Sequence, residues 1–278
     1  MTVHTEHPHH TDHHVPAGLL TRGTVVVVPG RGETRATYGR LGRRLAADAY
    51  RVRVTDAPDL PATGLDGALT RLGAALADAV EDTVTAGGNG VAAPVVLLGA
   101  DTGALAVAAL LSRTADPAAP GRRRPDAVVL AGLPVHPAGT AAGGLTSWDA
   151  ELDARTSCPT HRATLTDDTR VRRGALDKPV PDALLTAAYD GDVTVPALLL
   201  TGDADPLADH GALRRAAGSW PLTRLAVVRG AHHDVLNDLQ HRSVAAEIVT
   251  FLETLRSAPE GGRKGGLTPL ITVESSAW

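Results

Sequence analysis

Residues 95–111 read Val95-Val96-Leu97-Leu98-Gly99-Ala100-Asp101-Thr102-Gly103-Ala104-Leu105-Ala106-Val107-Ala108-Ala109-Leu110-Leu111. A short, uniformly apolar run ends at a glycine, and a helix-forming run begins five residues later. Such a run suits a strand covered on both faces, as in a parallel sheet, with the chain turning sharply from strand into helix. The same grammar extends both ways. Upstream lie Val25–Val28, ending at Pro29-Gly30, and Arg51–Thr55. Between them a helix over about Thr34–Ala49 carries Tyr38, Leu41 and Leu45 on one face. Leu65, Leu69, Leu72, Leu76 and Val80 keep helical spacing before Val95. Downstream lie Ala127–Ala131, Ala197–Thr201 and Arg224–Val228. Helices follow the last two of these, over about Asp209–Gly218 and through Val244, Ile248, Leu252 and Leu255. Strands alternating with helices predict an α/β fold: a doubly wound, mainly parallel sheet of about six strands with helices on both faces.

Composition fits one such domain. The chain has 278 residues, 43% of them hydrophobic, and a net charge of −4. That is enough apolar content for a large core, and too little positive charge for a nucleic-acid partner. The single cysteine, Cys158, excludes an intrachain disulfide and any multi-cysteine metal site. No apolar run is long enough to span a bilayer, and no secretory signal opens the chain, so a cytoplasmic location is expected. Residues 1–20, with six histidines and no apolar periodicity, are expected to be a disordered arm. The domain is expected over 21–257 and a flexible tail over 258–278. Between 136 and 193 the strand–helix grammar breaks. This insert follows a strand end, where open α/β sheets bind ligands, and is well placed to act as a lid over a small-molecule substrate, the alternative being a long surface excursion.

Gly99-Ala100-Asp101-Thr102-Gly103 stands in the strand–turn–helix setting of a nucleophile elbow, G-x-S-x-G, with Asp101 at its centre. Asp101 could equally cap the helix that follows. Two further segments bear on the choice. Gly202-Asp203-Ala204-Asp205 follows one strand, and Gly230-Ala231-His232-His233-Asp234 follows the last. Nucleophile, acid, histidine is the chain order of an α/β-hydrolase triad, and each residue sits just past a strand's carboxyl end.

On these residues the chain resembles the α/β-hydrolase superfamily, especially its lysophospholipase and monoacylglycerol-lipase-like members. Val27-Val28-Pro29-Gly30-Arg31-Gly32-Glu33 is similar to their H-G-x-G-E oxyanion segment, with Pro29 in place of the histidine. Residues 230–238 are similar to their G-A-x-H-E-x-x-N-E segment. The resemblance covers about residues 23–257 and implies a cofactor-free hydrolase with no metal. It makes Asp101, His233 and Asp205 the catalytic residues, and the backbone N–H groups of Arg31 and Thr102 the oxyanion donors. Those lipases carry Ser where this chain has Asp101. Epoxide hydrolases and haloalkane dehalogenases of the same fold carry Asp. A carboxylate attacking an sp³ carbon gives an alkyl ester that water, activated by His233, can cleave. Neither specialised activity is fully matched: Thr102 stands where a dehalogenase often has Trp, and Tyr189 is the insert's only tyrosine. Trp148, Tyr189 and His232 are the candidate substrate contacts.

Other readings of the same residues remain. The fold could serve a non-hydrolytic protein, either a lyase or cyclase using His233 as a base or a ligand-binding accessory protein. Gly30–Arg35 could be an incomplete dinucleotide loop. Cys158 and His161 could form a thiol site or part of a metal site, though two ligands are too few for structural zinc.

Overall fold

Along each central strand, alternate side chains enter two different cores, and this alternation builds a three-layer molecule. A computed structural model describes residues 3–83, 90–113, 124–134, 144–258 and 267–271. The strands are β1 (His4–Glu6), β2 (His10–His13), β3 (Gly23–Val28), β4 (Tyr50–Thr55), β5 (Val95–Ala100), β6 (Ala127–Ala131), β7 (Ala197–Gly202) and β8 (Thr223–Val228). The helices are α1 (Gly39–Ala47), α2 (Leu65–Glu81), α3 (Asp101–Arg113), α4 (Trp148–Arg155), α5 (Pro159–Asp167), α6 (Asp182–Tyr189), α7 (His210–Ser219) and α8 (His241–Ser257). Val26, Val28, Leu97, Leu130 and Leu199 point into one core, with α2, α3, α6 and α7. Val25, Val27, Leu98, Val129 and Leu200 point into the other, with α1 and α8. Period-2 alternation between two apolar layers is why these strands are apolar at every position.

The sheet order is β1-β2-β4-β3-β5-β6-β7-β8. Neighbours from β4 to β8 are parallel. All six expected strands are present. The count is eight because β1 and β2 add an antiparallel pair at one edge. The expectation of a disordered arm over residues 1–20 is therefore corrected. His10–His13 lacks an apolar pattern, yet it is held by tertiary contacts. Asp12 faces Arg53 on β4 and takes its guanidinium at 2.7 Å through both oxygens. His13 packs so closely on α1 that a Cβ at Gly42 would stand 2.2 Å from its ring.

The described part of the insert, from residue 144, carries α4, α5 and α6; residues 135–143 lie outside the described residues. The tail read as flexible falls mostly outside them too. Within it, Leu267 is half-buried against the α8 core, while Leu270 and Ile271 are exposed. Among the described residues, no helix is long and apolar enough to cross a membrane.

Candidate active site

The turn from β5 into α3 places Asp101 at the centre of the molecule, 4% exposed, with φ of +47°. A left-handed backbone at a residue with a Cβ costs about 1–3 kcal/mol and persists only where its surroundings enforce it. Two glycines do so here. A Cβ on Gly99 would lie 2.5 Å from the Ala104 Cα, and one on Gly103 2.5 Å from the carbonyl oxygens of Val28 and Pro29. Only glycine lets α3 sit directly on the ends of β5 and β3, which is the reason for the G-x-D-x-G spacing.

The loops after β7 and β8 bring the other two residues to this point. His233 Nε2 lies 3.2 Å from Asp101 Oδ1. Its Nδ1 lies 3.0 and 3.1 Å from the two Asp205 oxygens. Asp205 is oriented by the backbone N–H of Leu207, at 2.8 Å. The three residues picked from the sequence thus form one hydrogen-bonded line, all buried.

Arg31 does more than its backbone reading implied. Its N–H donates to Asp101 Oδ2 at 2.8 Å, as an oxyanion donor would. Its guanidinium also clamps the carboxylate, Nε to Oδ2 and Nη2 to Oδ1, both at 2.9 Å. Its Nη1 donates to the carbonyls of Leu176 and Lys178, tying the clamp to the insert. Thr102 is buried beside the elbow, its Oγ1 3.4 Å from Asp101 Oδ2. The dinucleotide reading of this loop meets an obstacle. The Gly30 and Arg31 N–H groups already serve the carboxylates of Glu33 and Asp101, where a pyrophosphate would have to sit.

The charges are mutually set. Burial alone would raise the Asp101 pKa, but the Arg31 charge and hydrogen bonds from His233 and Arg31 hold it well below the usual carboxylate range. Burial alone would lower that of His233, but the Asp205 charge and hydrogen bonds to Asp101 and Asp205 raise it to about 10. His233 is therefore an imidazolium at neutral pH, held between two carboxylates. Because its folded pKa lies above the ordinary 6.5, its stabilising contribution is complete below pH 6.5 and is lost as the pH rises toward 10. The melting temperature is expected to fall across that window in calorimetry. It should fall less in His233→Gln, which has no proton to lose.

The other candidates take different places. His232 turns to Asp238, its N–H and Nδ1 at 2.7 and 3.0 Å from Oδ2, and thereby holds its own turn. Tyr189 packs on the α3 side of the core with its hydroxyl 3.4 Å from the Pro134 carbonyl. Trp148 belongs to the insert's own cluster with Leu152, Leu165 and Val171, under the Arg173 guanidinium. Cys158 receives Arg40 and His161 faces Asp234, so the two do not form a shared thiol site.

Sequence reading passed over a second layer. Arg155, 1% exposed, bonds Glu151 at 2.9 Å, Asp234 at 3.3 Å and the Arg31 carbonyl at 2.7 Å. Glu33 accepts from the Gly30 N–H and the Tyr38 hydroxyl, and burial with the Asp234 charge pushes its pKa up to about 7. Glu33, Tyr38 and Asp234, with Asp101 and His233, line a cavity of about 10 Å³, the size of one water. The Glu151–Arg155 spacing of four was a visible signal, but it reads equally as a solvated helix pair.

Comparison with solved structures bears on the fold. A yeast (Saccharomyces cerevisiae) monoglyceride lipase, solved as a soluble variant with a substrate analog, superposes with a TM-score of 0.69 at 14% identity, over 91% of this chain and 94% of that one. The Paleococcus ferrophilus monoacylglycerol lipase gives 0.63 at 20% identity, over 88% and 98%. The esterase RhEst1 from Rhodococcus sp. ECU1013 gives 0.57 at 22%, over 88% and 95%. At these identities the likeness shows the fold. No curated protein sequence matches. The family model described as serine aminopeptidase, S33 (Hydrolase_4) matches residues 20–240. With most of the chain under that match, this protein belongs to the S33 serine aminopeptidase family of hydrolases and has the α/β-hydrolase fold.

Proposed function

We propose that the chain is a cofactor-free hydrolase that attacks an electrophilic carbon of a small organic substrate through Asp101. The observation that carries this reading is His233, hydrogen-bonded to Asp101 on one side and Asp205 on the other, with the Arg31 N–H on the second Asp101 oxygen. Oδ1 bonds to the substrate carbon and the leaving group departs with the bond's electron pair. The product is an alkyl ester of Asp101. Esterification removes the Asp101 charge and its hydrogen bond to His233, two of the causes that raise the His233 pKa. The imidazolium then gives its proton to the departed leaving group and becomes a base only when a base is needed. It takes a proton from water as the water oxygen attacks the ester carbonyl. The developing oxyanion on Oδ2 is held by the Arg31 N–H. Collapse releases the alcohol, protonated by His233, and leaves Asp101 as an acid that passes its proton back to His233, restoring the imidazolium and a carboxylate that carries a water-derived oxygen.

The Arg31 guanidinium must leave the carboxylate before Asp101 can attack, because in the resting arrangement it occupies lone pairs on both oxygens. The same clamp favours a second reading, in which the ion pair is permanent and the fold serves a non-hydrolytic role. Alkylation by an epoxide reagent, read by intact mass and peptide mapping, separates the two. The hydrolase reading expects label on Asp101 in His233→Gln, and the permanent ion pair expects none. In Arg31→Met the alkyl-enzyme is expected to form faster than in the wild type, and its hydrolysis to keep the backbone N–H that holds the oxyanion.

A further inference from the structure

The edge hairpin assembles a cluster outside the site already described. The His7 N–H donates to the His10 carbonyl at 2.8 Å, closing the turn between β1 and β2. Arg35 anchors that turn through the His7 carbonyl. His10 and Asp12, two apart on β2, share one face of the strand. The His7 and His10 rings stack with centroids 4.4 Å apart. Their Nε2 atoms lie 4.0 and 3.8 Å from the same oxygen, Asp12 Oδ2. These spacings are too long for hydrogen bonds, and His10 Nε2 is buried with no hydrogen-bond partner.

We propose that His7, His10 and Asp12 form a binding site for one divalent transition-metal ion of the zinc type. The three ligand atoms lie within 4.8 Å of one another. A tetrahedral zinc site needs them roughly 3.4 Å apart, from Zn–N and Zn–O bonds of about 2.0–2.1 Å. Both histidines must close in by a few tenths of an ångström, His7 the more, and its side chain is 42% exposed at the turn. Two imidazoles and a carboxylate suit zinc, nickel or copper rather than magnesium or calcium. The open side at His7 leaves the fourth position to water. Arg53 opposes the ion's charge and limits affinity, but its two hydrogen bonds also fix the Asp12 carboxylate. A carboxylate has lone pairs for both partners, and hydrogen-bonded ligands are the rule in metal sites. Glu33, His161 and Asp234 form another compact trio, but Arg155, Tyr38 and the Gly30 N–H already satisfy its carboxylates. A bound ion would clip the turn at His7 to β2 and stiffen the sheet edge.

Titration of the EDTA-stripped full chain with zinc chloride, by calorimetry and thermal shift, tests this. One zinc per chain is expected, with a melting temperature that rises with zinc and returns with chelator. Cobalt(II) should give visible bands of a low-coordinate site. His7→Asn and His10→Gln should each weaken binding by at least about 10-fold. His9→Ala, at an exposed ring outside the cluster, and His161→Gln should leave it unchanged. Absence of zinc binding overturns the proposal. So does an equal loss in His9→Ala, which would mean diffuse binding by a histidine-rich segment, and so does a loss in His161→Gln, which would move the ion to the buried trio. Should circular dichroism show His10→Gln unfolded, His7→Asn decides, because its side chain lies at the exposed turn.

Discussion

Replacing His233 with Gln is expected to stop the protein after one chemical step, with the substrate carbon still bonded to Asp101. Attack by Asp101 needs no base, because the carboxylate is held ionised by Arg31 as well as by His233. Hydrolysis of the ester does need one, since a neutral water must lose a proton as it attacks. Loss of a positioned general base costs about 10²–10⁴ in rate, so the covalent enzyme should accumulate to stoichiometry and appear as an added mass on the peptide containing Asp101. Asp101→Asn should give neither adduct nor product, because an amide is a poor nucleophile. The wild type, turned over once in heavy-oxygen water, should place the label in Asp101 and not in the product. If Asp101 instead served as a base for direct attack by water, the product would carry the label from the first turnover and the peptide never would. A search over epoxides, haloalkanes, lactones and short esters supplies the substrate for both experiments.

The parts of this site that were legible in the sequence share one physical property. Asp101, Asp205 and His233 each stand immediately past a strand whose apolar run marks its own end, so the strand pattern locates them. The parallel strands β3, β5, β6 and β7 were legible because burial on both faces makes them apolar along most of their length. Strands β1 and β2 were not, because a polar edge pair carries no such mark. Their place comes from the Asp12–Arg53 pair and from His13 on Gly42, contacts between residues about thirty to forty positions apart. The Arg31 clamp was hidden for the same reason. The oxyanion reading uses only its backbone, while its side chain is aimed by Asp101 and by carbonyls in the insert, 145 and 147 residues away. Local pattern reports what a segment buries; it does not report which distant charge will be buried with it.

Arg155 is where that blindness has the largest consequence for stability. Its guanidinium is fully enclosed and holds together four segments: α4 through Glu151, the loop after β8 through Asp234, the loop after β3 through the Arg31 carbonyl, and, by way of Glu151, the stretch whose Gly174 and Leu176 N–H groups donate to that carboxylate. Arg155→Met keeps much of the volume and removes the charge. Glu151 is 0% exposed, so it and Asp234 would remain buried without their cation. Breaking a buried pair from one side costs about 3–5 kcal/mol. At about 2–4 °C per kcal/mol for a domain of this size, the melting temperature should drop by roughly 6–20 °C. Adding Glu151→Gln should restore part of the loss, because a neutral amide oxygen can still accept from Gly174 and Leu176 while no longer burying an unpaired charge. Scanning calorimetry of the two single variants and the double variant closes the cycle. A drop under about 2 °C in Arg155→Met, or a double variant worse than the sum of its parts, would mean that water reaches this cluster and that the insert is held over the loop after β3 by its apolar contacts instead.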